Sequence, residues 1–367
     1  MLKIGIECES IEYDSYGIAR AINKLLEEIA RRPELQQEFK FYLYFKSKIP
    51  NYPYLNNPIF IKRIIGPGSF SLYYYVMLPI RLLFDGLDVM YFPNYMLPLI
   101  FVGKSLVLSV HDAYYEARSK NIPFRYRLAY RIFATWGAIH GTKVMAISEF
   151  GKRELEQVYG INPNRIVVNY LAVDPPTDVP PYSLQRYFLF VGQAFPRRFL
   201  RETLLAFEKI ARAFPDVNFI VVGKDRYSPP IIQNLVEDIN EHLGSERIVI
   251  KDQVGDDKLA SLYVAAQAVT YISAKEAFGL PPIEGLAYKA MPIVADTAMS
   301  HELFGEAAFF VKRPDSIEEI AQVLEESLIN TEKRNTILAA REAILQKFTW
   351  RGHADRFLAI VRDIARR

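Results

Sequence analysis

Short β-branched or aromatic runs alternate with longer segments of helical period along almost the whole chain, and one proline-rich segment interrupts them. The first run, Lys3–Cys8, is a predicted strand, and Ile18–Arg31 is a predicted helix with its apolar residues on one face. Residues 174–181 hold four prolines, which neither a helix interior nor a central strand accommodates. The alternation restarts at the predicted strand Tyr187–Val191. Such alternation is typical of βα units on a parallel sheet, so we predict an α/β chain with two doubly wound domains facing a cleft.

Domain boundaries follow from the position of the proline segment. The chain has 367 residues, which suits two domains of ordinary size. We predict a first domain over residues 1–172, a linker over 173–186, a second domain over 187–347 and a closing helical segment over 348–367. Ligands of open α/β sheets bind beyond the carboxyl ends of the strands, so the chemistry is expected there.

Composition excludes several classes of protein. Half of the residues are hydrophobic and 24% are charged, which is the balance of a packed globular protein. The single cysteine, Cys8, leaves no disulfide framework and no cysteine-built metal site, so a cytoplasmic location fits best. The net charge of +3 lacks the basic excess of most nucleic-acid-binding proteins, and we predict no nucleic-acid partner.

The most informative segment is residues 276–284, Glu-Ala-Phe-Gly-Leu-Pro-Pro-Ile-Glu, which follows a predicted strand and opens a helix. Backbone N–H groups at a helix start, together with the positive end of the helix dipole, form an anion site. Glu276 lies in the loop and Glu284 lies about one turn into the helix, so both carboxylates can face one ligand. A carboxylate accepts two hydroxyl donors at once, which suits a sugar or a ribose. The alternative is that Glu276 and Glu284 are solvated surface acids.

This segment resembles the Glu-x7-Glu signature of retaining GT-B glycosyltransferases, specifically those of glycosyltransferase family four. The resemblance implies the GT-B fold, in which two Rossmann-like domains face a cleft. It also implies that Glu276 contacts hydroxyl groups of a donor sugar and that Glu284 binds the nucleotide ribose. The positions whose backbone would lie against the diphosphate-linked sugar are Phe278, Gly279 and Leu280. Ala277 stands where the family usually has glycine, and its methyl group would narrow the donor pocket.

Two further segments of the second domain extend the resemblance. Residues 190–198, Phe-Val-Gly-Gln-Ala-Phe-Pro-Arg-Arg, resemble a family segment whose cations neutralise the leaving diphosphate. Arg197 and Arg198 would take that role, with Arg198 in place of the usual Lys and Phe199 in place of Asn. Arginine offers phosphate a forked, always-charged contact; the alternative is an ordinary surface pair at a helix start. The remaining donor-binding positions implied in this domain are Gly192, Gly223 and Lys224.

The first domain carries two shorter resemblances. Residues 15–20, Ser-Tyr-Gly-Ile-Ala-Arg, are similar to the family's glycine loop, where backbone N–H groups approach the donor phosphates, and they retain Gly17. An ordinary strand–helix turn is the alternative. Residues 108–112, Leu-Ser-Val-His-Asp, resemble a family segment that places His111 beside the donor sugar. The closing Phe348-Thr349-Trp350 resembles the family's end, where the last helix crosses back onto the first domain.

The resemblance implies transfer of a hexose from a nucleotide-sugar donor to a glycan or lipid-linked glycan acceptor, with retention of configuration. The resemblance favours GDP-mannose as the donor, with UDP-glucose or a related nucleotide sugar as the alternative. The implied catalytic residues are His111, Glu276, Arg197 and Arg198. Fixed positive charge would stabilise the departing diphosphate, so we expect neither a metal nor another cofactor. Two alternatives stay open: an inactive member that binds nucleotide sugars, and a nucleotide-sugar epimerase on the same fold.

The first domain is also expected to carry the acceptor side. Its stretch Lys62–Arg153 holds 12 basic and 5 acidic residues and would suit an anionic membrane that carries a lipid-linked glycan. The protein would then be cytoplasmic, with peripheral contact at the inner membrane face. The side chains expected to make that contact are Tyr73, Tyr74, Tyr75, Arg81, Arg125, Tyr126, Arg127, Tyr130 and Arg131. The alternative is helices that pack through their aromatic faces and carry ordinary solvated arginines.

Overall fold

The computed structural model describes residues 1–12, 16–66, 68–94, 96–108, 128, 132, 135–182, 186–276 and 278–366. The chain divides into two compact units. Unit 1 comprises residues 1–172 together with 348–367, and unit 2 comprises residues 173–347. Each unit contains a twisted parallel sheet with helices, which confirms the predicted α/β class with two Rossmann-like domains.

The described strands of unit 1 form a parallel sheet in the order β3-β2-β1-β4-β5-β6-β7. Their bounds are β1 Leu2–Glu7, β2 Phe39–Phe45, β3 Phe60–Ile64, β4 Val89–Phe92, β5 Ser105–Leu108, β6 Lys143–Ala146 and β7 Ile166–Val168. The sheet grows from β1 in both directions. The carboxyl ends of β1 and β4 therefore lie at the point where the strand order reverses, which is the usual ligand position in such sheets.

The described strands of unit 2 form a second parallel sheet in the order β10-β9-β8-β11-β12-β13. Their bounds are β8 Arg186–Val191, β9 Val217–Val222, β10 Ile248–Lys251, β11 Ala266–Tyr271, β12 Met291–Ala295 and β13 Phe309–Val311. Here the order reverses between β8 and β11. Most of their residues are buried and apolar, as expected for strands covered by helices on both faces.

The described α-helices are α1 Tyr16–Ala30, α2 Phe70–Leu72, α3 Leu78–Asp85, α4 Glu149–Tyr159, α5 Leu200–Ala211, α6 Ile232–Leu243, α7 Asp256–Ala265, α8 Leu280–Ala287, α9 Ala298–Phe304, α10 Ile317–Ile329, α11 Thr331–Lys347 and α12 Trp350–Arg366. A π-helical turn, Tyr73–Met77, joins α2 to α3 into one continuous helix. Ser148 caps α4, since its hydroxyl accepts a hydrogen bond from the N–H of Gly151. No described helix is both long enough and apolar enough to cross a membrane.

The tyrosines that were expected at a membrane surface lie mostly inside unit 1. Tyr73 and Tyr74 are fully buried in an aromatic cluster with Phe92, and Tyr75 is half-buried against the same cluster. The prediction that Tyr73 and Tyr74 contact a membrane was wrong, because both rings are packed in the core of unit 1. Arg81 is partly exposed at the surface and donates to both carboxylate oxygens of Asp85, and its expected membrane contact stays a prediction. The remaining expected contact residues, Arg125, Tyr126, Arg127, Tyr130 and Arg131, lie outside the described residues.

The last helix, α12, packs in unit 1 against α1, β4 and β5. Arg362 donates to both carboxylate oxygens of Glu38, at 2.7 and 2.6 Å. His353 is 3% exposed, and its Nδ1 lies 2.8 Å from the carbonyl oxygen of Tyr170. The side chain of Asn169 donates to the carbonyl oxygen of His353. This helix is thus held in place both by its apolar face and by these polar contacts.

Candidate functional site

Three loops of unit 2 leave its sheet at the carboxyl ends of the neighbouring strands β9, β8 and β11. The loop after β8 is tied to the other two by backbone hydrogen bonds. The N–H of Ala274 donates to the carbonyl of Arg197 at 3.0 Å, and the N–H of Ala194 donates to the carbonyl of Lys224 at 2.9 Å. The structure therefore brings the predicted residues of unit 2 together at the reversal point of the sheet.

Two glycines allow these loops to approach each other closely. Gly192 and Gly223 follow β8 and β9 with φ angles of +126° and +138°, which L side chains rarely adopt. A Cβ on Gly223 would collide with the carbonyl of Gly192, and a Cβ on Gly192 would lie 2.9 Å from Nη1 of Arg198. The packing of the loops therefore requires glycine at position 223, and the φ angle favours glycine at position 192, before any ligand is considered.

Arg198 and Glu276 form a two-pronged ion pair at the centre of the three loops. Nε of Arg198 donates to Oε1 of Glu276 at 2.7 Å, and Nη2 donates to Oε2 at 3.2 Å. Both side chains are 12% exposed. The guanidinium lies 4.9 Å from the ring centroid of Tyr271, and Nη1 donates to the carbonyl of Gln193. A partly buried pair with these additional contacts is held in one geometry.

Arg197 lies beside this pair. Its Nε is 3.9 Å from Oε1 of Glu276, and its guanidinium carbon is 4.5 Å from the ring centroid of Phe195. Nε is buried, and it has no hydrogen-bond partner in the part of the chain that the structure describes. A buried donor of this kind is uncommon in native proteins and fits a site whose anion supplies the acceptor.

The start of α8 offers an anion fewer backbone N–H donors than most helix starts do. Gly279 precedes the helix with φ +94°, a conformation that favours glycine, and Phe278 is buried beside it. Pro281 and Pro282 occupy the first turn and have no N–H group. Few backbone donors therefore remain for the expected anion. The N–H groups left in this turn belong to Gly279, Leu280 and Ile283.

Glu284 is held from within the protein. It is 9% exposed, and its Oε2 accepts a 2.8 Å hydrogen bond from the hydroxyl of Tyr263 in α7. The ring of Tyr263 stacks on that of Tyr288, with centroids 5.9 Å apart. Glu284 is thus a buried, oriented carboxylate, and the alternative of a solvated surface acid is wrong for it.

Sequence reasoning missed the side chains that position the predicted ones. These are Gln193, Phe195, Tyr263, Tyr271 and Ser273, whose hydroxyl donates to Glu276 at 3.0 Å. Tyr271 lies in the predicted strand Ala268–Ile272 and Ser273 follows that strand, so their place at the sheet edge was available from the sequence. Tyr263 lies in a helix 21 residues before Glu284, and no local pattern marks it.

The predicted residues of unit 1 lie at the other sheet. Gly17 is exposed in the first turn of α1, and a Cβ there would meet no described atom within 4 Å. The packing of the described residues therefore does not require glycine at this position. His111 lies outside the described residues, as does Ala277 in unit 2.

Unit 1 also contains a buried carboxyl group that was not predicted. Glu7, the last residue of β1, is fully buried; its Oε1 accepts from the Tyr73 hydroxyl at 3.0 Å and its Oε2 from the Asn94 amide at 3.1 Å. Burial, together with the nearby carboxylates of Glu9 and Glu12, raises the pKa of Glu7 to about 7. The carboxyl end of β1 thus holds a group that titrates near neutral pH.

Comparison with known proteins gives matches over both units. A family model described as glycosyl transferases group 1 matches residues 178–342, and one described as Glycosyltransferase Family 4 matches residues 29–176. The O-antigen chain mannosyltransferase RfbU of Salmonella typhimurium is 26% identical over 229 residues, which cover 59% of this chain and 63% of RfbU. The serotype-specific mannosyltransferase WbdA of Escherichia coli is 29% identical over 169 residues, which cover 46% of this chain and 20% of WbdA.

Solved structures share the fold over almost the full chain. WaaG, a glycosyltransferase involved in lipopolysaccharide biosynthesis, aligns with a TM-score of 0.70 at 16% identity and covers 98% of this chain and 99% of its own. Anabaena HepE in complex with UDP-glucose aligns with a TM-score of 0.69 at 15% identity, covering 99% and 100%. At such identities the likeness shows the fold alone.

The two family models are adjacent and do not overlap, so together they account for most of both units. The strand orders of the two sheets and the structural neighbours agree with them. The chain therefore belongs to the group 1 type glycosyltransferases of glycosyltransferase family four, and its fold is GT-B.

Proposed function

We propose that this protein transfers a hexose from a nucleotide sugar to a glycan or lipid-linked glycan, with retention of configuration. One observation carries the proposal: the loops after β8 and β11 hold Arg197, Arg198 and Glu276 together, with Glu284 buried one turn into α8. Two cations beside two oriented carboxylates match a ligand with a diphosphate at its centre and hydroxyl groups at both ends. Family membership supports the same reaction class.

In this mechanism the departing nucleoside diphosphate is stabilised by fixed charge. Arg197 and Arg198 would contact its phosphates, and Glu276 and His111 would hold the sugar. Glu284 would accept hydrogen bonds from the ribose. Preorganised donors of this kind need no rearrangement as negative charge develops on the leaving group. We propose that no metal or other cofactor takes part.

The ion pair of Arg198 with Glu276 must open when the donor binds. Both prongs of the guanidinium lie on the carboxylate, so a diphosphate competes with Glu276 for Arg198. When the phosphates take the guanidinium, the carboxylate oxygens can accept hydroxyl groups of the sugar. Phosphate binding at Arg198 therefore favours sugar binding at Glu276, because both depend on opening the same ion pair.

We propose GDP-mannose as the donor, since RfbU and WbdA are described as mannosyltransferases. A thermal-shift panel of nucleoside diphosphates and their sugars tests this: GDP and GDP-mannose should raise the Tm more than UDP and UDP-glucose. Glu284→Ala should abolish the shift, while Glu325→Ala, an exposed acid of the same unit, should not. A chain that responds to none of the nucleotides would overturn the proposal.

Turnover separates this function from its two alternatives. A transferase releases free GDP from GDP-mannose only when acceptor is present. An epimerase converts the nucleotide sugar without releasing GDP. A partner protein without activity would bind GDP-mannose and leave it unchanged.

A further inference from the structure

We propose that one outer face of unit 1 docks on an anionic lipid bilayer through exposed apolar side chains. The face begins on the helix Phe70–Asp85, formed by α2, the π-helical turn and α3. Five large apolar side chains of this helix are between 45% and 77% exposed: Leu72, Val76, Ile80, Leu83 and Phe84. This inference deepens the proposed membrane contact and gives it a surface different from the tyrosines expected from the sequence.

This helix is apolar all round. Its inner side, with Tyr73, Tyr74, Leu78 and Leu82, is buried in the aromatic cluster. A helix on the surface of a soluble domain normally turns a polar face outward, and an apolar outward face indicates another apolar partner. The one acid of the segment, Asp85, receives both prongs of Arg81 at 3.0 and 2.9 Å, so its charge is countered.

The loop between β4 and β5 packs against the same aromatic cluster and adds further exposed apolar side chains. Phe101 packs into the aromatic cluster, 5.2 Å from the ring centroid of Phe92, while Leu99, Ile100 and Val102 around it are 50%, 77% and 76% exposed. Loops between strands are normally polar. We define the apolar face as the five helix residues with these three. In unit 2 the one described large apolar side chain of comparable exposure is Ile329, at 61%.

Charge selects a bilayer over a second copy of this chain. The segment Lys62–Arg153, which supplies the whole apolar face, holds 12 basic and 5 acidic residues, an excess of seven positive charges. Two copies meeting at this face would bring two such segments together, whereas an anionic bilayer attracts them. Exposed apolar side chains within a segment that carries excess basic residues are the features of interfacial membrane binding.

Vesicle sedimentation tests the proposal without relying on transfer. The full chain should sediment with vesicles of phosphatidylglycerol and phosphatidylcholine, and much less with phosphatidylcholine alone. Ile80→Ser with Leu83→Ser and Phe84→Ser should weaken binding by about tenfold or more, since each change removes buried apolar area. Ile329→Ser, the matched control, should bind as the wild type does. Ile100→Ser with Val102→Ser tests the loop independently of the helix.

Circular dichroism and a GDP thermal shift verify that each variant is folded and that unit 2 still binds its ligand. Equal sedimentation of the wild type and both variants would overturn the proposal. A wild type that does not sediment with anionic vesicles would overturn it as well. A wild-type dimer on gel filtration that the triple variant converts to monomer, without vesicle binding, would assign the face to a second copy instead.

Discussion

A single hydroxyl group, that of Tyr263, fixes the carboxylate that we propose for ribose binding. Its hydrogen bond to Glu284 is buried, and the tyrosine ring is itself held by stacking on Tyr288. A hydrogen bond to a charged group contributes more than one between neutral groups. Tyr263 is therefore a positioning residue that acts through Glu284.

Tyr263→Phe should weaken GDP binding about tenfold, which corresponds to about 1.4 kcal/mol for the lost bond to a carboxylate. Pyrophosphate has no ribose, so its affinity should not change. Tyr187→Phe is the matched control, because that buried hydroxyl donates to the carbonyl of Leu262 in the same unit. Titration calorimetry with both ligands measures the effect; an equal loss for pyrophosphate would contradict the positioning role.

Two non-glycine residues of unit 2 occupy left-handed backbone positions. Phe199 has φ +43° and Lys289 has φ +69°. Phe199 stands where the family usually has Asn, a residue type that tolerates this region. Both residues store backbone strain, Phe199 at the start of α5 and Lys289 just beyond the end of α8.

Lys289→Gly should raise the free energy of unfolding by about 0.5–1 kcal/mol. The change removes the strain of a side-chain-bearing residue at positive φ, and the greater conformational entropy of glycine in the unfolded chain offsets only part of that gain. Urea unfolding measures the change. Lys289→Ala keeps the Cβ and should bring no gain. A gain of the same size for alanine would mean that the lysine side chain, rather than the backbone, is responsible.

Glu7 gives unit 1 a pH dependence with a defined sign. Its pKa of about 7 in the folded chain exceeds its usual value of 4.5, so the folded state binds the proton more tightly. The stability that it contributes is complete below pH 4.5 and is lost as the pH rises through 7. Glu7→Gln should therefore be more stable relative to wild type at pH 8 than at pH 5, by roughly 2–3 kcal/mol in urea unfolding. A difference that does not vary with pH would contradict this.

The site residues show what a sequence reveals at this scale. Glu276 and Glu284 were found because their spacing surrounds a strand–loop–helix junction. Arg198 was predicted too, but its ion pair with Glu276 was not, because the two residues lie 78 positions apart and the pair forms only when two loops meet. The catalytic and binding roles of these residues stay predictions.

At the scale of elements, periodicity located the central strands and helices but not their irregularities. The predicted strand Lys3–Cys8 is β1 Leu2–Glu7, and the predicted helix Ile18–Arg31 is α1 Tyr16–Ala30. The π-helical turn within the helix Phe70–Asp85 has no sequence signature. The tyrosines were assigned to a membrane from the composition of their segment, which does not reveal that Tyr73 and Tyr74 are buried.

The helix α12 carries a second titratable contact. Burial lowers the pKa of His353 to about 4, below its usual 6.5, because the charged ring would lose its hydration. The neutral histidine contributes stability that is present above pH 6.5 and is lost as the pH falls through 4. Docking of α12 should therefore weaken in acid.

Tryptophan emission can follow this helix, since Trp350 begins α12 with its ring centroid 5.6 Å from that of His353. In a Trp136→Phe background, acid titration should shift the emission of Trp350 to longer wavelength between pH 6.5 and 4. His353→Gln should flatten this titration. An unchanged titration in the variant would assign the transition to another group.

At the scale of the whole molecule, the two units differ in their surfaces. The excess of basic residues and the apolar face belong to unit 1, whereas residues 173–347 hold the loops that we propose for the nucleotide. The fold class was predictable because βα alternation is a repeated, long-range pattern. The apolar face was not, because exposure depends on which layer covers each helix.

A nucleotide should therefore protect one part of the chain selectively. Hydrogen exchange with saturating GDP should slow in the loops after β8, β9 and β11, because ligand contacts favour their closed form. The amide groups of the helix Phe70–Asp85 should exchange at unchanged rates. Protection of that helix instead would place the nucleotide at the face that we assign to lipid.

The division of the chain has a consequence for biosynthesis. Unit 1 is built from two segments separated by the whole of unit 2, and its helix α12 is the last described element to leave the ribosome. Unit 2 is continuous, so its sheet can form while unit 1 still lacks the helix that covers β4 and β5. The nascent chain would thus expose the apolar underside of the first sheet until α12 has emerged from the ribosome, and chaperones should bind there in the meantime.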